Sequence, residues 1–230
     1  MSLRRPVLSA ALALLPLAVP AEARVVRLEI ERREPILAGK PFGLAGPYER
    51  LTGTVTFALD PSLRQNRAVV DLDLAPRDAR GEVVFTADVV LLKPVDVGRG
   101  NGRLYYEVPN RGGQGILRRL QFATAAPAAG DPAGFGDGWL LRQGFSIAWM
   151  GWQWDVPDEP GRLRLRAPVA TDRGRPIEGL VRAVVITDER KADAPLGDQG
   201  HEAYPPSDPD GPDSRLFVRD HAGDAPRELP

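Results

Sequence analysis

The 230-residue sequence contains no cysteine. This absence excludes disulfide bonds, thiol catalysis and zinc or iron–sulfur sites with cysteine ligands. Histidine occurs twice, at His201 and His221, so an imidazole that acts as general base within the chain must be one of these. The formal net charge is −1, and without an excess of positive charge nothing favours binding to nucleic acid or to an anionic membrane.

A long hydrophobic run is also missing. Residues 6–20, PVLSAALALLPLAVP, follow Arg4 and Arg5, but a membrane-spanning helix needs about 20 apolar residues. Residues 21–23, AEA, fit the small-x-small rule for signal peptidase cleavage. These features predict a signal peptide over 1–23, with a membrane anchor as the alternative, and a mature chain that is secreted or periplasmic.

Glycine and proline are abundant, with 24 and 23 residues, which favours strands joined by turns over long helices. Helical spacing predicts helices over 114–126 and 137–144. Alternating or continuous apolar residues predict strands over 25–31, 54–61, 68–76, 82–94, 103–109, 145–152, 161–170, 179–189 and 214–220. The sequence thus predicts an antiparallel meander followed by a strand–helix–strand crossover between 103–109 and 145–151, whose strands are parallel.

A polar, flexible turn follows the predicted strand 103–109. It consists of Asn110, Arg111, Gly112 and Gly113. Glycine permits positive φ and a close approach of the backbone, and backbone N–H groups fixed in this way can stabilise the negative oxygen of a tetrahedral intermediate. The turn is therefore a candidate oxyanion-hole loop, and an ordinary structural turn is the alternative.

The partners that such a loop needs for catalysis are not recognisable. The sequence has no Gly-x-Ser-x-Gly motif, and none of its serines lies on a sharp, exposed turn next to a base. Ser214 is near Asp220 and His221, but closeness in sequence is not a catalytic triad. No complete catalytic set is therefore predicted.

Three further segments contain residues that could bind a ligand or a metal. Tryptophans 149, 152 and 154 end the central apolar strand, either as core residues or as the lining of a cleft, and Trp154 is the candidate for substrate binding. The His201-Glu202 pair does not begin a zinc helix, because Tyr204 replaces the second histidine and two prolines follow. Prolines and a misplaced glycine argue against calcium at 208–213. No metal or cofactor is expected.

Several motifs, taken in order, resemble the secreted α/β-hydrolase domain-containing proteins, a family of presumed esterases. They are REPILAGKPFGLAGPYERLTGTVTFALDP, VDLDLAPRDARGEVVFTADVVLLKP, GNGRLYYEVPNRGG, WLLRQGFSIAWMGWQWDV, GRLRLRAPVA and LFVRDH, between about 25 and 227. The resemblance implies an α/β fold class, with a partial α/β-hydrolase-like sheet and β-rich additions at 25–110 and 161–220. It also implies ester-hydrolase chemistry on a small-molecule ester.

The chain departs from this family in one respect. Members are longer, and their nucleophile serine and histidine lie beyond the part that is matched here. The sequence is therefore interpreted as the N-terminal portion of a secreted esterase-like hydrolase, with 24–230 an incomplete domain that is inactive without a C-terminal half. The alternative is a stand-alone periplasmic β-rich module that binds a ligand.

The predicted signal peptide gives the first test. Cleavage after Ala23 is expected because the AEA triplet ends the short apolar segment. Mass spectrometry of secreted or periplasmic material should then show Arg24 as the first residue. Intact Met1 on protein recovered from a membrane fraction would instead support the anchor.

Overall fold

The computed structural model describes residues 23–186, 189, 193–194, 196–197, 201–208, 211 and 214–229. The predicted signal peptide lies outside the described residues except for Ala23. Within them the dominant element is a mixed sheet of six strands. These strands are β1 (Arg24–Pro35), β2 (Tyr48–Leu59), β3 (Val83–Pro94), β4 (Leu104–Glu107), β5 (Ser146–Met150) and β6 (Leu165–Arg166).

The sheet has the order β1-β2-β3-β5-β4, and the short β6 also pairs with β3. Strands β1, β2 and β3 form an antiparallel meander, and β5 and β6 are antiparallel to β3. Strands β4 and β5 are parallel, with Glu107 opposite Trp149. The carboxyl ends of β4 and β5 therefore lie at the same edge of the sheet.

The remaining elements are short. Two helices, α1 (Ile116–Gln121) and α2 (Trp139–Arg142), lie in the connection from β4 to β5. Two small antiparallel sheets pair β7 (Thr171–Asp172) with β8 (Arg175–Pro176), and β9 (Phe217–Val218) with β10 (Arg227–Glu228). No helix of the described part of the chain is both long and apolar enough to span a membrane.

The main core lies between one face of the sheet and the β4–β5 connection. Strand side chains of this core include Tyr48, Val90, Leu92, Ile147 and Trp149, and the connection adds Ile116, Leu117, Phe135, Leu140 and Leu141. Tyr48 is fully buried and its hydroxyl donates to the carbonyl oxygens of Leu141 at 2.9 Å and Phe145 at 3.0 Å. Burial raises the pKa of Tyr48, so this hydroxyl remains protonated and a donor.

The predicted α/β fold class, with a partial α/β-hydrolase-like sheet, is wrong. The described chain is mostly β, and its two helices contain six and four residues. Phe122 adopts a left-handed conformation (φ 57°) and ends α1. Gly138 and Gly144, both at positive φ, bracket α2. The helical spacing in the sequence is thus interrupted before it can produce helices long enough to form a layer.

Two predicted strands are also absent from the described residues. Residues 64–68 and 72–74 form 3₁₀ turns instead of the strand predicted over 68–76, with Asp71 between them at φ 55°. Residues 179–186 contain no assigned strand and are exposed, although their sequence alternates; positions 187 and 188 lie outside the described residues. In both segments the apolar pattern lacks a neighbouring strand with which to pair.

The two hydrogen bonds of the Tyr48 hydroxyl give a test of the core. Tyr48→Phe leaves two buried carbonyl oxygens without this donor, so we expect the free energy of unfolding to fall by about 1–2 kcal/mol. Tyr106→Phe is the matched control, because Tyr106 is 46% exposed and its removal should change stability by less than about 0.5 kcal/mol. Urea unfolding of the three chains measures both values, and equal losses would contradict the role given to Tyr48.

Candidate functional site

The turn predicted to hold an anion lies directly after β4. Arg111 (φ 51°) and Gly112 (φ 70°) are successive residues in the left-handed region. Gly112 is buried, and a Cβ atom there would lie 2.7 Å from the backbone nitrogen of Leu163 and 2.8 Å from its oxygen. Glycine is therefore required at 112 both by conformation and by space.

Three side chains from downstream segments hold Arg111 in its unfavourable conformation. Its backbone N–H donates to Gln153 Oε1 at 2.8 Å, and its guanidinium donates to Asp155 Oδ2 at 3.0 Å. Its carbonyl oxygen accepts from Arg162 Nη1 at 2.9 Å. A non-glycine residue at positive φ costs about 1–2 kcal/mol, and these three contacts offset that cost.

These contacts bear on the predicted oxyanion role. The N–H of Arg111 donates to Gln153, and that of Gly113 donates to the carbonyl of Asn110 at 3.1 Å. An anion that took either N–H would therefore have to displace an internal acceptor. The role of Asn110, Arg111, Gly112 and Gly113 as an oxyanion loop remains a prediction.

Asp155 connects this turn to one of the two histidines. Its Oδ2 lies 3.0 Å from Arg111 Nη1 and 3.3 Å from His201 Nδ1. The side chains of Asp155 and His201 are each 23% exposed, so water reaches this pair but does not surround it. A carboxylate placed against Nδ1 fixes the orientation of the imidazole and leaves its other nitrogen available for proton transfer.

The segment that carries His201 packs on the segment that follows β5. The N–H of Glu202 donates to the carbonyl of Asp155 at 2.7 Å, and the Glu202 carboxylate lies 3.0 Å from Arg164 Nη2. The rings of Trp154 and Tyr204 are 4.9 Å apart between centroids, with their planes inclined at 59°. Backbone, charge and aromatic contacts therefore all join these two segments.

The three clustered tryptophans have different environments. Trp149 is buried, and its Nε1 donates to Glu107 Oε2 at 2.5 Å, so it belongs to the core. Trp152 is half-exposed and donates to the carbonyl of Pro109 at 2.5 Å. Trp154 is 40% exposed beside Tyr204, and its predicted contact with substrate remains open.

Within the described residues, no serine hydroxyl is hydrogen-bonded to either histidine. The described serines are Ser62, Ser146, Ser207 and Ser214. None of the hydrogen bonds between described residues joins one of their hydroxyls to His201 or His221. His221 is exposed and uses its backbone N–H to contact Asp224 at 2.9 Å. The arrangement can therefore orient an acid–base pair and hold charge.

Sequence reasoning missed the pairing of Asp155 with His201. The two residues are far apart in the chain, and no local motif links them. The sequence did contain one signal for Asp155. It lies just beyond the carboxyl end of the strand that is parallel to β4, and ligands of parallel sheets bind at such ends. No group of three or more potential metal ligands occurs among the described residues.

Comparison with known proteins adds no family to this description. No family model, no curated protein and no solved structure matches the chain.

The junction at Asp155 can be tested by its effect on stability. Asp155→Ala leaves Arg111 and His201 without their shared carboxylate, and we expect a loss of about 1–3 kcal/mol in the free energy of unfolding. Asp158→Ala is the control, since its side chain is 83% exposed and 3.5 Å from Arg164, and it should cost less than about 1 kcal/mol. The role of Asp155 would be refuted if urea unfolding gave both variants the same small loss.

Proposed function

We propose that the chain is the N-terminal segment of a secreted or periplasmic esterase-like protein, and that it binds an ester but does not hydrolyse one by itself. The observation that carries this proposal is the convergence of Arg111, Asp155 and His201 at the carboxyl ends of β4 and β5. The ordered motifs that resemble the secreted esterase-like family support the same reading.

The candidate site contains some of the groups that ester hydrolysis needs. The reaction needs a group that stabilises a negative oxygen, a base that accepts a proton, and a nucleophile. The turn at 110–113 and the guanidinium of Arg111, which pairs with Asp155, supply hydrogen-bond donors for a negative oxygen, and His201 against Asp155 supplies an oriented base. The described serines do not contact this base, so turnover by this chain is not expected.

Hydrolysis of short-chain p-nitrophenyl esters by the purified chain tests this proposal. We expect no rate above background, and no difference from His201→Ala or from the Ser214→Ala, His221→Ala double variant. Turnover that is lost in either variant would overturn the non-hydrolysing role.

Binding is measured separately with an alkyl phosphonate monoester, a stable anion that mimics the tetrahedral intermediate. We expect it to shift the backbone NMR signals of residues 110–113. Arg111→Gly keeps a left-handed backbone but removes the guanidinium, and should weaken binding about tenfold, the effect of roughly 1.4 kcal/mol. Arg103→Ala is the control, because Arg103 is exposed and its removal should leave binding unchanged.

A stand-alone ligand-binding module is the second candidate, and the half-exposed Trp154–Tyr204 pair favours it. Such an aromatic pair can stack on a sugar ring. Binding of an oligosaccharide that is lost in Trp154→Ala, with no binding of the phosphonate, would select this candidate. The genomic DNA after codon 230 also separates the two, since only the esterase-like reading predicts that it encodes a Gly-x-Ser-x-Gly motif and a late histidine.

A further inference from the structure

An apolar cleft lies at the end of the sheet where β3 begins. Its lining includes Leu59 of β2, Val83 and Phe85 of β3, Leu165 of β6, and Val70 and Leu72 of the 3₁₀ segment. Val70 is 83% exposed, and Leu72 is buried in a small cluster with Ala75 and Val83. The cleft thus has a closed apolar floor and an open mouth.

The size of the cleft limits what it can hold. Its volume is about 240 Å³. An apolar cavity of about 150 Å³ accepts benzene, whereas pockets for drug-sized ligands begin near 300 Å³. A single aromatic ring with a short chain therefore fits within this volume.

Asp71 is the charged residue of this lining. It is partly buried, and it adopts a left-handed conformation, with φ 55°, without using its side chain as a helix cap. Its carboxylate forms none of the ion pairs or side-chain hydrogen bonds found among the described residues. Arg166, which follows the lining residue Leu165, pairs with Asp88, and Arg77 donates to the carbonyl of Asp73.

We propose that this cleft binds a small aryl-alkyl amine, with the ring on the apolar floor and the ammonium group paired with Asp71. A carboxylate beside an apolar wall selects a ligand with an apolar body and a cationic end, because water is partly excluded there and the charge has no partner among the described residues. A neutral ligand would gain the apolar contacts but not this pairing.

The cleft is distinct from the site around Asp155. Val83, Phe85 and Leu165 lie on one face of the sheet, since Leu165 pairs with Ala87 on the same side of β3. Trp149 and Val90, on the opposite face, contribute to the core beneath the β4–β5 connection. The proposal therefore does not depend on the ester-binding function.

Binding of 2-phenylethylamine to the purified chain, followed by NMR shifts and compared with neutral 2-phenylethanol, tests the proposal. We expect the amine to bind with a Kd on the order of 1 mM, as suits so small a ligand. It should bind about tenfold more tightly than the alcohol, which corresponds to roughly 1.4 kcal/mol for one charge-assisted contact. Asp71→Asn should abolish this preference and leave binding of the alcohol unchanged.

Two controls separate the cleft from the rest of the surface. Asp73→Asn removes an exposed carboxylate two residues away and should keep the preference for the amine. Ala167→Trp should fill the cleft from an exposed lining position and abolish binding of both probes, whereas Val169→Trp, at a residue that is 79% exposed and outside the lining, should not. Equal binding of the two probes, a preference that survives Asp71→Asn, or no binding at all would overturn the proposal.

Discussion

The buried carboxylate of Glu107 fixes the part of the structure on which the candidate site depends. It is 8% exposed and accepts from Trp149 Nε1 at 2.5 Å, from the N–H of Ile116 at 2.8 Å and from Arg119 Nη1 at 3.2 Å. A buried charge without partners costs several kcal/mol, so these donors must be in place when the chain folds. Because they belong to β5 and α1, one residue of β4 joins a strand to its parallel neighbour and to the first helix of the crossover.

The geometry of the site follows from this junction. With β4 and β5 fixed in register, the turn after Glu107 and the segment after Met150 leave the sheet side by side. The chain then passes back against both: the N–H of Leu163 donates to Gly112 at 3.0 Å, and that of Leu165 donates to Gln153 at 3.0 Å. These close contacts need glycine, since a Cβ at Gly151 would lie 2.3 Å from the carbonyl oxygen of Arg164. The left-handed Arg111 is held in this arrangement by the side chains of Gln153, Asp155 and Arg162.

Local patterns predicted the long strands because their apolar residues alternate and meet neighbours close in sequence. β1, β2 and β3 arise in this way, as hairpin partners in register over most of their length. The predicted fold class was wrong because helical spacing shows which face of a segment is apolar but not how far the helix continues. In the structure, Phe122 ends α1 after six residues. Of the candidate site, the turn at 110–113 carries its own glycine signature in the sequence, and its role remains a prediction. The Asp155–His201 contact is a long-range pairing that no local pattern encodes.

Because side chains alternate along β3, its two faces have different surroundings. On β3, Val90 and Leu92 face the core beneath α1 and α2, so their side of the sheet is closed by packing. Val83 and Phe85 lie on the other side, where the described part of the chain supplies the 3₁₀ segment and the stretch after β6 as cover. Because two short helices cannot cover both faces, apolar surface remains open on the second one. Asp71 lies in this open lining and forms no ion pair or side-chain hydrogen bond among the described residues, so an external cation is the partner that we propose for it.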